Sequence, residues 1–127
     1  MTGKELIYPL STNPHCFIGH KPTAVLIGAE RVIVKSWREV YSTVIKLCND
    51  DPNCHEMLMY LRGRAAGKVR EFLSDSPKSM TRPLAVDDGL YAETHYGTET
   101  LMHILTQRIL APAGFDISDV SIIVSMI

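Results

Sequence analysis

No stretch of this 127-residue chain is apolar for more than a few residues at a time. Residues 24–27, Ala-Val-Leu-Ile, are typical, whereas a bilayer span needs about 20 such residues, so no membrane association is expected. Residues 1–10 carry Lys4 and Glu5 and have neither the apolar core nor the small-residue cleavage site of a secretory signal. Cysteine is scarce as well. Cys16, Cys48 and Cys54 are an odd number and make no disulfide framework, which points to reduced thiols and a cytoplasmic setting. Eight glycines and seven prolines are too few for a collagen-like or low-complexity chain. Nor is there a surplus of one charge: 13 basic residues face 14 acidic ones, a net charge of −1 that a dedicated nucleic-acid binder does not usually show. Gly-x-Ser-x-Gly, Cys-x-x-Cys, P-loop and Gly-x-Gly-x-x-Gly sequences are all missing, so nothing in the sequence positions a nucleophile or a phosphate. The expectation is a non-enzymatic protein without a cofactor.

Apolar residues make up 46% of the chain and are spread along its length. A chain of this size buries roughly two thirds of its unfolded surface, enough for a core without metal or cross-links. Residues 1–22, punctuated by Pro9, Asn13, Pro14, Gly19 and Pro22, read as an N-terminal arm. Its Ile7, Tyr8, Phe17 and Ile18 imply that it packs somewhere, on its own domain, a second copy or a partner. Residues 23–127 read as one α+β domain. Runs 23–27 and 32–35, separated by residues 28–31, make a hairpin. Ser36 and Glu39 form a capping box that opens a helix, and Trp37, Val40, Tyr41, Val44, Ile45 and Cys48 recur every three or four residues along it. Trp37 and Tyr41 are read as core or interface anchors. Asp51-Pro52 starts a second helix whose buried face is Cys54, Met57, Leu58 and Leu61. Residues 69–73 fit a strand or a helical turn, with strand favoured. Residues 84–86 and 90–94, joined by Asp87-Asp88-Gly89, form a second hairpin. A third helix spans 98–110 with Thr98 as its N-cap, and Ala111-Pro112 and Gly114 stop it. Residues 120–126 alternate as a half-buried strand does. Two hairpins, each followed by a helix, give an α+β fold with a largely antiparallel sheet.

Charge along the chain is uneven. Six basic residues meet six acidic ones over residues 1–61, six meet two over 62–82, and one meets six over 83–127. Arg62, Arg64, Lys68, Arg70, Lys78 and Arg82 therefore form a basic segment suited to the phosphate backbone of a nucleic acid. The alternative is that these side chains offset the acidic C-terminal third or lie on a solvated face. Between the second hairpin and the third helix, Thr94, His95 and Thr98 stand where backbone N–H groups favour anions, and are candidates for a phosphate, carboxylate or nucleotide. Glu93 and Glu99 would repel such an anion unless the basic segment joins it. His15, Cys16, His20, Cys48, Cys54 and His55 are conceivable metal ligands. Five residues part Cys48 from Cys54, however, and both fit the apolar stripes of their helices, so core packing is expected and no metal. Self-association through the arm or an exposed edge at residues 120–127 is a further alternative.

Gly19-His20-Lys21-Pro22, Val34-Lys35-Ser36-Trp37, Pro83 and Gly89-Leu90-Tyr91-Ala92-Glu93-Thr94-His95 together resemble a small accessory module appended to bacterial and phage restriction-type and mobile-element proteins. The resemblance covers residues 18–124. It implies a hairpin leading into a Ser-Trp helix, a Gly-x-Tyr-x-Glu-Thr strand leading into a second helix, and an accessory or recognition role near nucleic acid. His95-Tyr96-Gly97 stands where that module carries an Asn and small polar residues.

Overall fold

The structure, a computed structural model, describes residues 5–64 and 71–126. Its elements form an α+β fold with two antiparallel sheets instead of one. The first sheet is four-stranded, in the order β1 (Glu5–Pro9), β7 (Val120–Met126), β2 (His20–Ile27), β3 (Glu30–Ile33). The second has β6 (Leu90–Glu93) between β4 (Leu73–Ser74) and β5 (Pro83–Asp87). Helices α1 (Trp37–Asp50) and α2 (Pro52–Leu61) connect the sheets, and a third helical run follows β6. No helix of the described residues is long and apolar enough to cross a membrane.

Both hairpins are present, each leading into a helix, and both turns are tighter than the sequence pattern implies. Ile27 pairs with Glu30 and Asp87 with Leu90, which leaves two-residue loops. Gly89 adopts φ +70° in the second, the left-handed conformation such turns require. The Ser36 hydroxyl caps α1 by accepting from the Glu39 amide at 3.2 Å. The Glu39 carboxylate reaches back to the Lys35 amide, one residue beyond the cap, at 3.1 Å. Val40, Tyr41, Val44, Ile45 and Cys48 are the buried stripe of α1, which packs against β2, β5, α2 and the helical run after β6. Asp51 caps α2 by accepting from the Asn53 and Cys54 amides. Its buried face is narrower than expected, because Met57 is 38% exposed and only Cys54 and Leu58 are fully covered.

Two further expectations are corrected, and one left open is decided. The lead-in segment packs on its own domain: β1 pairs along β7, and Leu10 and Phe17 are buried in the main core. β7 therefore lies inside the sheet, between β1 and β2, and offers no free edge for another chain. The third helix also outlasts its proline. It is α-helical over α3 (Thr98–His103), π-helical over Ile104–Leu110 and α-helical again over α4 (Ala111–Ala113). In an α-helix the ring of Pro112 would press on the carbonyl four residues back. The wider π turn instead sends the Ala111 N–H to the Thr106 carbonyl, and the run ends at Gly114 with φ +74°. Of the segment read as strand or turn, Leu73 falls in β4, while residues 69 and 70 lie outside the described residues.

Polar ties hold the second sheet to the helices. Asn49, at the end of α1, donates to Asp87 at 2.9 Å and meets the His55 ring at 2.7 Å. The bond from Asn49, joined by the Asp88 amide and the nearby His55, holds the Asp87 carboxyl below the usual carboxylate range. Tyr41 has no such partner. Its hydroxyl is buried with no hydrogen bond among the described residues, and burial, reinforced by Tyr96 and Glu93 nearby, raises its phenol well above the ordinary value. An unsatisfied buried hydroxyl costs about 1–3 kcal/mol. Tyr41→Phe is thus expected to gain about 1 kcal/mol in urea denaturation, and a loss of that size would show that the hydroxyl is bonded.

Candidate functional site

The joint between β5, β6 and α3 is organised by a buried carboxylate. Glu93 ends β6 fully buried. Its Oε1 accepts from the Thr81 amide at 2.7 Å, and its Oε2 accepts from the amides of Arg82, Thr94 and His95 at 2.8, 3.1 and 3.2 Å. Backbone N–H groups converging this way form an anion nest, and here the chain supplies its own anion. The loop before β5 is thereby fastened to the turn after β6. Thr94 tightens the joint, donating its hydroxyl to the Arg82 carbonyl at 2.8 Å and accepting from Arg38 Nε at 2.9 Å. Arg38 also reaches the Pro83 carbonyl at 3.2 Å.

A cleft of about 310 Å³ opens beside this joint, lined by Arg82, Thr94, His95, Tyr96 and Gly97. Arg82 and His95 are exposed. Gly97, in an extended conformation, is the cap of α3, and no side chain bonds to the first-turn amides there. This corrects Thr98, which is the first helical residue and not the cap. The fold has therefore brought the last cation of the basic segment to two of the three residues chosen at the helix start, Thr94 and His95, while Thr98 does not line the cleft. Their roles differ from the expectation, however. The Thr94 side chain is 3% exposed and committed to Arg82 and Arg38. Since the amides of Thr94 and His95 belong to Glu93, an external anion at the cleft would meet the Arg82 guanidinium, the His95 ring and the start of α3.

The other basic residues are placed elsewhere. Arg62 donates from Nε to the Met59 carbonyl and from Nη1 to the Gly89 carbonyl, both at 2.9 Å, so it clasps the end of α2 to the β5–β6 turn. Arg64 donates to the Tyr60 carbonyl at 2.7 Å and lies 4.3 Å from the centre of the Tyr60 ring. Both line a second hollow, about 350 Å³, together with Glu71, Ser74, Asp75 and Ser79. Two carboxylates beside two guanidiniums make it mixed in charge. Lys78 is exposed on the loop before β5. Lys68 and Arg70 lie outside the described residues. Of the described cations of the segment, Arg62 and Arg64 line one hollow, Arg82 lines the other, and Lys78 lines neither.

Arg38 was missed from sequence because a charged residue in the first turn of an amphipathic helix reads as solvated. Glu93 was read only as a charge that would repel an anion. Cys48 and Cys54 sit in the core at the α1–α2 junction, where burial pushes the Cys48 thiol up to about 12, whereas Cys16 is exposed. Among the described residues no group of three or more His, Cys, Asp or Glu side chains is placed to hold a metal. Comparison with protein-family models, with curated proteins and with solved structures finds no match.

Proposed function

We propose that this domain is a non-enzymatic recognition or accessory module of a bacterial or phage system that contacts nucleic-acid phosphates at the Arg82–His95 cleft. The observation that carries the reading is the convergence of Arg82, His95 and the uncapped start of α3 on one cleft. A guanidinium offers paired donors that match phosphate oxygens. A helix start adds oriented N–H groups and a favourable dipole. The Glu93 nest and the Arg38–Thr94 bond fix the backbone on which these groups stand, which lowers the ordering cost of binding. The resemblance to restriction-type and mobile-element modules supports the same ligand class and the bacterial or phage setting. Arg64 and Lys78 are candidates for further phosphate contacts along a longer strand. Arg62, held by two backbone carbonyls, serves the fold.

Fluorescence anisotropy with short labelled double- and single-stranded DNA and RNA tests this reading. Affinity should fall steeply with salt, because each neutralised phosphate releases counterions. Arg82→Glu should weaken binding about tenfold or more and flatten the salt slope by about one contact. His95→Ala should have a smaller effect in the same direction. Absence of binding at low salt, or an affinity unmoved by Arg82→Glu, overturns the reading.

A further inference from the structure

We propose that the hollow at the end of α2 takes one unpaired nucleobase, stacked against the Tyr60–Arg64 pair, which rests on the nucleic-acid reading and narrows the ligand to a single strand. Among the described residues Tyr60 is the one aromatic of the large apolar side chains left exposed, at 58%. Met57, three residues earlier and so on the same face of α2, is exposed beside it. The Arg64 guanidinium lies over the Tyr60 ring, 4.3 Å from its centre, and its bond to the Tyr60 carbonyl at 2.7 Å holds it there. Ring and cation are thus ordered before any ligand arrives, which lowers the entropic cost of stacking on them.

Arg64 joins this platform to the hollow, because the same side chain that lies over the ring also forms part of the hollow's wall. At about 350 Å³ the hollow stands at the small end of the range for ligand sites, a size that suits one base and no longer segment. The chemistry of its walls chooses among ligands. Glu71 and Asp75 repel a bare phosphate and accept hydrogen bonds from N–H groups, and the Ser79 hydroxyl both donates and accepts. A nucleobase matches both halves of such a site, with a flat π face for the guanidinium and N–H groups along its edge for the carboxylates. In a duplex the faces are stacked and the edges paired, so only a single strand, loop or bulge presents them. The edge requirement goes one step further. Cytosine carries an amino donor where uracil carries a carbonyl acceptor, and carboxylates that only accept favour the former.

Fluorescence anisotropy of the full chain with labelled oligo(C), oligo(U) and a mixed-sequence DNA duplex tests the proposal. The wild type should bind oligo(C) more tightly than oligo(U) or the duplex, and Glu71→Gln should close most of the gap between the two homopolymers. Tyr60→Ala should weaken oligo(C) binding about tenfold, the loss of one stacked base, and leave duplex binding and the circular dichroism spectrum unchanged. Tyr60→Phe keeps the π face and should bind as the wild type does. Oligo(C) affinity unmoved by Tyr60→Ala overturns the proposal, as does an equal loss on the duplex or equal affinity for oligo(C) and oligo(U). Arg82→Glu reads the cleft separately, since it should weaken strand and duplex alike. A loss with Arg82→Glu and none with Tyr60→Ala removes the base site and keeps the cleft, and the reverse pattern removes the cleft and keeps the base site. Absence of binding to every strand overturns both.

Discussion

Glu93→Ala is expected to cost about 3–5 kcal/mol of stability, a large share of what a domain of this size possesses. The substitution strips the shared acceptor from four backbone amides at once. Hydrogen bonds to an ionised group are worth about 1.5–3 kcal/mol each, and a buried donor left without a partner forfeits its hydration as well. Exposed residues Thr81 and Arg82 can return their amides to water, which keeps the total below four full losses. Glu93→Gln separates charge from shape. Its amide oxygen can take the place of Oε2, but its NH2 group then points at the Thr81 amide as donor against donor, and a loss of about 2 kcal/mol is expected. Urea denaturation monitored by circular dichroism measures both, and a loss under about 1 kcal/mol for Glu93→Ala would mean that the carboxylate does not hold the joint. Nucleic-acid binding supplies the second readout. Glu93 binds the amides of both Arg82 and His95, so Glu93→Gln should weaken binding under conditions where the protein is still fully folded.

Glu93 also shows why the cleft was only half legible in the sequence. Local chemistry was readable: Asp88-Gly89 demands a tight turn, Ser36 and Glu39 mark a helix start, Asp51-Pro52 marks another, and residues 120–126 alternate with a period of two. Each of these signals concerns groups within a few positions of one another. The bonds of Glu93 include two to amides more than ten residues earlier in the chain, and a lone glutamate after a strand carries no mark of that. Arg62 likewise reads as one member of a basic run, although its partner is a carbonyl at residue 89. Charge counting along the chain thus overstated one patch, since Arg62 and Arg64 line one hollow and Arg82 lines another. The π-helical stretch was hidden for another reason. Pro112 signals a helix stop only if the turn before it is α-helical, and the wider turn at residues 104–110 removes the clash on which that rule depends.

Phe17→Ala is expected to be nearly as damaging as Glu93→Ala, at about 3–5 kcal/mol, although residue 17 falls in a stretch whose composition suggests an arm. Phe17 is fully buried. Its ring lies 4.9 Å from that of Trp37 at the start of α1 and 5.9 Å, edge-on, from that of Tyr8 on β1. Truncation removes the transfer energy of the ring and leaves a cavity bounded by a strand, a helix and a 3₁₀ turn, which cannot collapse together. The neighbouring Ile18 is 51% exposed and serves as the control: Ile18→Ala should change stability by no more than about 0.5 kcal/mol. If both substitutions prove equally mild, the first 22 residues are an appendage. If Phe17 alone matters, they are part of the fold, because β1 protects one side of β7. Removing residues 5–9 would then expose residues 121–125 of β7, Ser-Ile-Ile-Val-Ser, as an open edge with three consecutive apolar side chains. An edge of that composition templates further strand pairing. The truncated chain should aggregate instead of merely losing stability, which separates the covering role of β1 from the packing role of Phe17.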